Sequence, residues 1–483
     1  MRNNAIQQVA GVLLLIYSAS LLPPMVISWI NQDGLITAFS WTWLITAGAG
    51  FLLWFPVSAK KIDIRIREGF FIVALFWVLL SLASAIPFML TPVPKLSLTD
   101  AFFEAISGIT TTGATVLTGL DSLPMSFLYY RQQLQWLGGM GIIVLAVAVM
   151  PMLGIGGLQI YRSETPGTTK DNKLTPRITE TAKSLWYIYL GLTIACAISY
   201  RWAGMSTLDA IGHAFSTVST GGFSTHDSNM GFFNSQKIFV VAALFMILAG
   251  VNFALHFMAL RKRELGIYLR DGELRTYFMV LGVMSFITIG TLVFNNSYPD
   301  VTTTVNHGFF EAISIVTTTG YTTSGYSWWP MFLPFMILAA SFVGACAGST
   351  SGGMKVIRLL LLYKQGVREI HRLIHPAAVI PIKISGKPMD DQVIGAVWGF
   401  FSLYVFGFSL LSLAMMATGS DIVTAFSATA ACLNNLGPGL GDAALNYQHI
   451  STTGKWVLGL AMLLGRMEFF TLLVVLSAIF WRD

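Results

Sequence analysis

Charge is what this sequence has least of: Asp, Glu, Lys and Arg together make up 11% of its 483 residues, where a soluble globular domain carries about 25%. That shortage excludes an ordinary water-soluble fold. Hydrophobic residues reach 54%, and apolar runs of about twenty residues recur from one end to the other, long enough at about 1.5 Å per residue to cross a hydrocarbon core of about 30 Å. Cysteine is rarer still: Cys196, Cys346 and Cys432 lie in apolar or pore-like segments without metal-ligand spacing. The seven histidines form no cluster with Asp or Cys. His371 and His375 share a helical spacing, but Pro376 and the surrounding basic residues argue against a metal site. A polytopic membrane enzyme would want such a cluster, so no enzymatic activity and no bound organic cofactor are expected. No G-x-G-x-x-G opens a helix after a strand, so control by a nucleotide would have to come from another chain.

What is present points to an all-α polytopic membrane protein. Apolar length, with charged and Pro/Gly-rich stretches as boundaries, predicts about ten spans, over 6–30, 35–56, 69–92, 131–157, 181–204, 236–259, 274–294, 329–363, 390–418 and 453–481. Arg2, Ser18, Ala19 and Ser20 look a little like the ends of a cleavable signal peptide, but the apolar run continues to Ile30, which predicts an uncleaved first span. Basic residues gather between spans: Lys60, Lys61, Arg65 and Arg67; Arg162, Lys170, Lys173, Arg177 and Lys183; Arg261, Lys262, Arg263, Arg270 and Arg275; Lys355, Arg358, Lys364, Arg368, Arg372, Lys383 and Lys387. Topology accounts for the net charge of +6 without a nucleic-acid partner. With both termini cytoplasmic, these clusters all fall on one side, as the positive-inside bias requires.

Four segments between the spans are too short or too polar to cross: 100–118, 209–227, 304–325 and 421–441. Aligned without gaps they read DAFFEAISGITTTGAT (Asp100–Thr115), DAIGHAFSTVSTGGFS (Asp209–Ser224), HGFFEAISIVTTTGYT (His307–Thr322) and TAFSATAACLNNLGPG (Thr424–Gly439), with Gly113, Gly222, Gly320 and Gly437 in one column. From Phe102 and from Phe309, eleven of fourteen positions are identical. Each segment has one span before it and one after. The chain therefore divides into a leading two-helix hairpin, 1–60, and four repeats of span, re-entrant loop and span over 61–160, 161–262, 263–388 and 389–483.

Each copy offers a short apolar helix, then hydroxyls or amides, then a glycine. Non-helical backbone at membrane depth is tolerated only where protein buries it or where it lines a water-filled cavity, so four such loops are expected to meet around a common pseudo-fourfold axis. The lining would be Thr110, Thr111, Thr112 and Gly113; Ser219, Thr220, Gly221 and Gly222; Thr317, Thr318, Thr319 and Gly320; and Asn434, Asn435, Leu436 and Gly437. None carries a carboxylate, which disfavours divalent cations; carbonyl and hydroxyl oxygens instead suit a monovalent cation such as K⁺. The plain alternative, small and hydroxyl residues packing helices, explains one copy more easily than four aligned ones.

FFEAISGITTTGAT, GHAFSTVSTGGFS, FFEAISIVTTTGYT and AACLNNLGPGLG, with the later CAGSTSGGMK and LLGRMEFFT, resemble the Trk/Ktr/HKT superfamily of potassium transporters, most closely the membrane subunit of bacterial Trk systems, over essentially the whole chain. The resemblance implies a K⁺ filter (Rb⁺ passing too) with one glycine per repeat, a homodimer in the bacterial inner membrane, and a cytoplasmic, TrkA-like ring of nucleotide-binding subunits that opens or closes the pore. Gly221 in place of Thr, and the Asn, Leu436 and Pro438 of the fourth copy, depart from strict fourfold symmetry.

The predicted eighth span breaks at GACAGSTSGG, and glycine costs about 1 kcal/mol against alanine in a helix interior. An unwound loop is expected there, and the resemblance implies that it lies beneath the filter as a gate, with Gly344, Gly348, Ser349, Thr350, Gly352 and Gly353. Arg466, about ten residues from the outer end of the last span, is an ionisable group near mid-membrane. A salt bridge to another helix is the plain reading; the resemblance favours a charge facing the pore and limiting cation flow. Glu468, two residues on, points elsewhere. Glu104, His213 and Glu311 share one column and are expected to hold the loops by hydrogen bonds rather than to bind ions. The basic stretch Lys364–Lys387 is ordinary positive-inside charge or a docking surface for the nucleotide-binding partner. A proton- or sodium-coupled symporter is the rival reading, although such folds usually show inverted repeats.

Overall fold

The computed structural model describes residues 3–59, 66–148, 175–330, 332–467 and 470–481. Lys60, Lys61, Arg65, Arg162, Lys170, Lys173, Glu468 and the end of the predicted 131–157 span lie outside the described residues. Helices α1 (Asn3–Ser20) and α2 (Leu22–Asn31) make the first span, parted at Leu21 ahead of Pro23 and Pro24. α3 (Ile36–Trp54) returns along α1. A Cβ on Gly11 would sit 2.7 Å from the Trp54 backbone nitrogen, so glycine sets how closely these two helices approach.

The remainder follows one scheme four times. First come α4 (Ile66–Leu90), α5 (Leu98–Ile109) and α6 (Met125–Ala148); next α7 (Thr175–Ala203), α8 (Thr207–Val218), α9 (Gln236–Ala249) and α10 (Phe253–Lys262). After the short α11 (Gly266–Arg270) come α12 (Gly272–Phe294), α13 (Val301–Val316), α14 (Leu333–Ala340) and α15 (Val356–Ile374). The last set is α16 (Asp391–Ala417), α17 (Ile422–Leu433), α18 (Thr452–Arg466), α19 (Phe470–Leu476) and α20 (Ala478–Trp481). The short helices α5, α8 and α17 have 12 residues and α13 has 16; 12 residues rise only about 18 Å, too little to cross a bilayer. Each packs between its flanking helices and also against the closing span of the preceding copy: α8 on α6, α13 on α9, α17 on α14 and α5 on α18. The last of these contacts closes a ring.

Among the described residues, six helices are long and apolar enough to span a membrane, and seven if α9 and α10 count together. That pair corrects the expectation of one continuous span over 236–259, because the chain bends by 91° between them. Asn252 caps α10 by accepting from Ala254 N, while the carbonyl of Gly250 accepts from Cys346 N, so backbone freed by the bend is satisfied by the loop after α14. The expected break in the eighth span is there, running from Ser341 to Lys355. The expected last span is described as α18, α19 and α20 rather than as one helix.

The fold is not purely helical. Strands β1 (Lys383–Ile384) and β2 (Lys387–Pro388) form a two-stranded antiparallel hairpin between α15 and α16, with Lys383 opposite Pro388. Its turn places Ser385 and Gly386 at φ 47° and 82°, as a tight primed turn requires. Ile382 and Ile384 point into a cluster with Ile357, Leu361 and Val393, a two-residue periodicity that corrects the all-α expectation at this hairpin.

Candidate functional site: four loops around one axis

The four short helices end identically. The N–H groups of Thr112, Gly221, Thr319 and Leu436 reach back to the carbonyls of Ser107, Ser216, Ser314 and Ala431, and those of Thr111, Thr220, Thr318 and Asn435 to Gly108, Thr217, Ile315 and Cys432. These paired bonds are the Schellman closure of a helix C-terminus. Its left-handed residue is usually glycine, yet here it is Thr111, Thr220, Thr318 or Asn435, at φ 51°, 51°, 55° and 52°. Each costs about 1–2 kcal/mol against a right-handed conformation. Strain repeated at four matched, fully enclosed positions is the kind of outlier that marks a working site.

Two residues on, Gly113, Gly222, Gly320 and Gly437 also have positive φ, at 82°, 79°, 79° and 96°. A Cβ on Gly113 would strike the carbonyl oxygen of Gly221; on Gly222, that of Thr319; on Gly320, that of Leu436; and on Gly437 it would lie 2.7 Å from that of Thr112. Every loop thus leans its glycine against the next loop's carbonyl, and the fourth returns to the first. The sixteen residues singled out from the sequence are brought together. Among the described residues, the carbonyls of Thr111, Thr112, Thr318, Thr319 and Leu436 accept no hydrogen bond, although the residues are buried. Buried carbonyls left unpaired call for a partner.

Side chains hold the loops from outside the ring. Ser97, Ser206, Asp300 and Asp421 cap the four short helices. Glu104 accepts from Thr115 Oγ1, Val116 N and Arg131 Nε, the last at 2.8 Å. Glu311 accepts from Thr323 N and Ser324 N, while His213 binds Asp209 O and Ser224 Oγ. All three therefore brace their own loops, as expected. In the first and third copies the outer hydroxyls of the triplet meet, Thr110 with Thr112 and Thr317 with Thr319, both at 2.8 Å.

The broken eighth span lies directly against one end of this ring. Gly353 N donates to Asn434 O at 3.1 Å, Gly352 N to Thr318 Oγ1 at 2.6 Å, and Thr350 Oγ1 to Val218 O at 3.0 Å. Gly344, Gly348 and Gly353 hold φ of 67°, 72° and 70°, and a Cβ on Gly352 would collide with Asn434 O. Ser349 Oγ donates to Cys346 O at 2.5 Å. Arg466 Nη2 donates to Thr350 O at 2.9 Å. The residues named from the sequence for a gate thus lie together against the loops, with the guanidinium fastened to Thr350.

Several participants were not singled out from the sequence. Arg131 and Gln135 reach the second loop from α6, through Ser224 O and Gly221 O. Gly138 and Gly465 let α6 and α18 press against the ends of α5 and α17, since a Cβ on either would overlap Ile109 O or Leu433 O. Lys455 Nζ pairs with Asp100 at 2.7 Å. The available signal was the polar run RQQLQWLGG, Arg131 to Gly139, in a span that otherwise faces lipid or protein.

A family model described as "Cation transport protein", TrkH, matches residues 36–482. The chain is 50% identical over 486 residues to the Trk system potassium uptake protein TrkH of Salmonella typhimurium, covering 100% of both. It is 41% identical over 480 residues to the Trk system potassium uptake protein TrkG of Escherichia coli, covering 99% of both. The crystal structure of the potassium transporter TrkH from Vibrio parahaemolyticus superposes with a TM-score of 0.92 at 46% identity, covering 100% of each chain.

Proposed function

We propose that this chain, which belongs to the TrkH family of cation transport proteins, takes up K⁺ by letting it pass along the axis between its four loops. One observation carries the reading: the loops close cyclically, glycine against carbonyl, and among the described residues the carbonyls of Thr112, Thr319 and Leu436 in that cycle accept no hydrogen bond. A dehydrated monovalent cation is the partner such oxygens suit, and no carboxylate stands among the sixteen residues to bind a divalent ion instead. The helices α5, α8, α13 and α17 all end at the residues that form this ring, and helix C-termini favour positive charge. K⁺, with Rb⁺, is the transported ligand.

The loop from Gly344 to Gly353 is the gate in this reading, and Arg466 both fastens it through Thr350 and places a positive charge below the ring. Moving the loop would free Asn434 O, Thr318 Oγ1 and Val218 O together. A homodimer in the bacterial inner membrane, with both termini cytoplasmic and a TrkA-like nucleotide-binding subunit docked on the cytoplasmic face, completes the assembly. There the hairpin exposes Lys383, while on α15 Lys364 and Arg372 are half-buried, the latter beside Glu369 at 3.2 Å, and Arg368 is committed to Asp391 at 2.8 Å.

The test is ⁸⁶Rb⁺ uptake into proteoliposomes holding the purified chain, with K⁺ and Na⁺ as competitors and no proton gradient. Uptake blocked by K⁺ and barely by Na⁺ is expected. Uptake that waits for an imposed proton or sodium gradient would replace the passive pore with a coupled symporter.

A further inference from the structure

The ring has one asymmetric member. In the column Thr112, Gly221, Thr319 and Leu436, only Gly221 lacks a side chain, and only its carbonyl accepts a hydrogen bond among the described residues. The donor is Gln135 Nε2 at 2.6 Å, and the same carboxamide's Oε1 accepts from Phe223 N at 3.1 Å. Gln135 is fully enclosed. A Cβ on Gly221 would collide with that carboxamide, so Gln135 occupies the space that Thr112 and Thr319 fill with their own side chains. The departure of the second copy from the TTTG pattern is thus compensated from another helix.

We propose that Gln135 is a positioning residue for ion discrimination: by donating to Gly221 O it orients that carbonyl and weakens its field, so that the ring prefers a large, easily dehydrated cation to a small one. The proposal rests on the reading of the four loops as the ion path. Three oxygens of the column remain free for an ion, while the fourth is shared with an amide N–H. Small cations gain most from strong-field oxygens held flexibly, and large ones lose least from a weakened, fixed oxygen. Removing the donor returns full field and freedom to Gly221 O, and Na⁺ gains relative to K⁺. The two-sided hydrogen bond makes the amide specific, since a carboxylate at 135 would present an acceptor to an acceptor.

The experiment measures K⁺ and Na⁺ inhibition constants for ⁸⁶Rb⁺ uptake in wild-type protein, Gln135→Met, which keeps volume without a donor, and Gln135→Ala/Gly221→Thr, which swaps the two solutions. The expected result is a roughly fivefold fall in the K⁺ over Na⁺ preference for Gln135→Met, the equivalent of about 1 kcal/mol, with uptake retained. The swap is expected to show the same fall with uptake retained, because threonine refills the space but leaves the carbonyl of residue 221 without its donor. Gly221→Thr alone, with Gln135 in place, is expected to lose uptake through overpacking. An unchanged preference in Gln135→Met overturns the role of Gln135 while leaving the pore reading intact. If Gln135→Met fails to fold, the swap decides: preference lost with uptake intact supports the proposal, and preference at or near the wild-type value overturns it, because filled space without a donor would then suffice. Wild-type uptake indifferent to K⁺ would sink the pore reading and this proposal with it.

Discussion

The junction between the first and second loops is held by charge, and that between the third and fourth is not. In the former, Arg131 lies between Glu104 and the carbonyl of Ser224 and over the ring of Phe223, 4.3 Å from its centroid. Farther out, His226 bonds to Asp121 at 2.5 Å and faces Asp209 at 3.6 Å, and Asp227 accepts from Leu120 N. In the latter, Tyr326 donates to the carbonyls of Pro438 and Gly439, and Ile315, Trp329, Leu436 and Leu440 pack around it. Among the described residues no salt bridge crosses that junction. Both arrangements bring a glycine against its neighbour's carbonyl. The same backbone geometry therefore tolerates two chemistries of support, and the two should fail differently.

The largest difference is expected at Arg131. Arg131→Met strands the Glu104 carboxylate in a fully enclosed position, which costs about 3–5 kcal/mol; the thermal midpoint in detergent should fall steeply, whereas Glu311→Gln, with no ion pair to break, should shift it far less. Equal shifts would erase the contrast. Gly320→Ala tests the uncharged junction, where the new methyl meets Leu436 O at a positive φ. Strain and overpacking together amount to about 2–4 kcal/mol, and ⁸⁶Rb⁺ uptake is expected to drop by more than tenfold even where protein accumulates.

Tyr326→Phe removes a phenol that spans the third and fourth loops and is expected to lower stability by about 1 kcal/mol, without dependence on pH. The smallest effect belongs to His226. Partial burial works against its charge, but the hydrogen bonds and charges of Asp209 and Asp121 outweigh it, and the imidazole is held above its ordinary value. A raised folded value means that the clip's contribution is full below about pH 6.5, the free imidazole value, and is lost as pH rises through the folded one. The gap in thermal midpoint between wild type and His226→Gln should be wider at pH 6 than at pH 9; a gap independent of pH would remove His226 from the comparison.

Much of this was legible beforehand because it is local. The glycine column, the hydroxyl triplets and the break at Gly344 to Gly353 are properties of short stretches, and each forms its turn from its own residues. What escaped reading is relational. FFEAIS occurs twice, yet Glu104 meets an arginine, whereas among the described residues Glu311 meets backbone donors and a threonine hydroxyl of its own loop, and nothing within FFEAIS itself distinguishes them. The bend between α9 and α10 escaped as well, since Gly250 and Asn252 read as minor interruptions until Cys346 and Gly348 supply the missing hydrogen bonds.

Composition and periodicity alone determined that the chain lives in a membrane, that it has four matched segments too short to cross one, and which residues sit at their tips. Those are consequences of hydrogen bonding and hydration acting over a few residues at a time. Which loop touches which, which carbonyls stay unpaired, why Gly221 has no side chain and where Arg466 is fastened were decided only when helices far apart in sequence came within contact distance. Interactions at hydrogen-bond range depend on that arrangement, and no single segment encodes it.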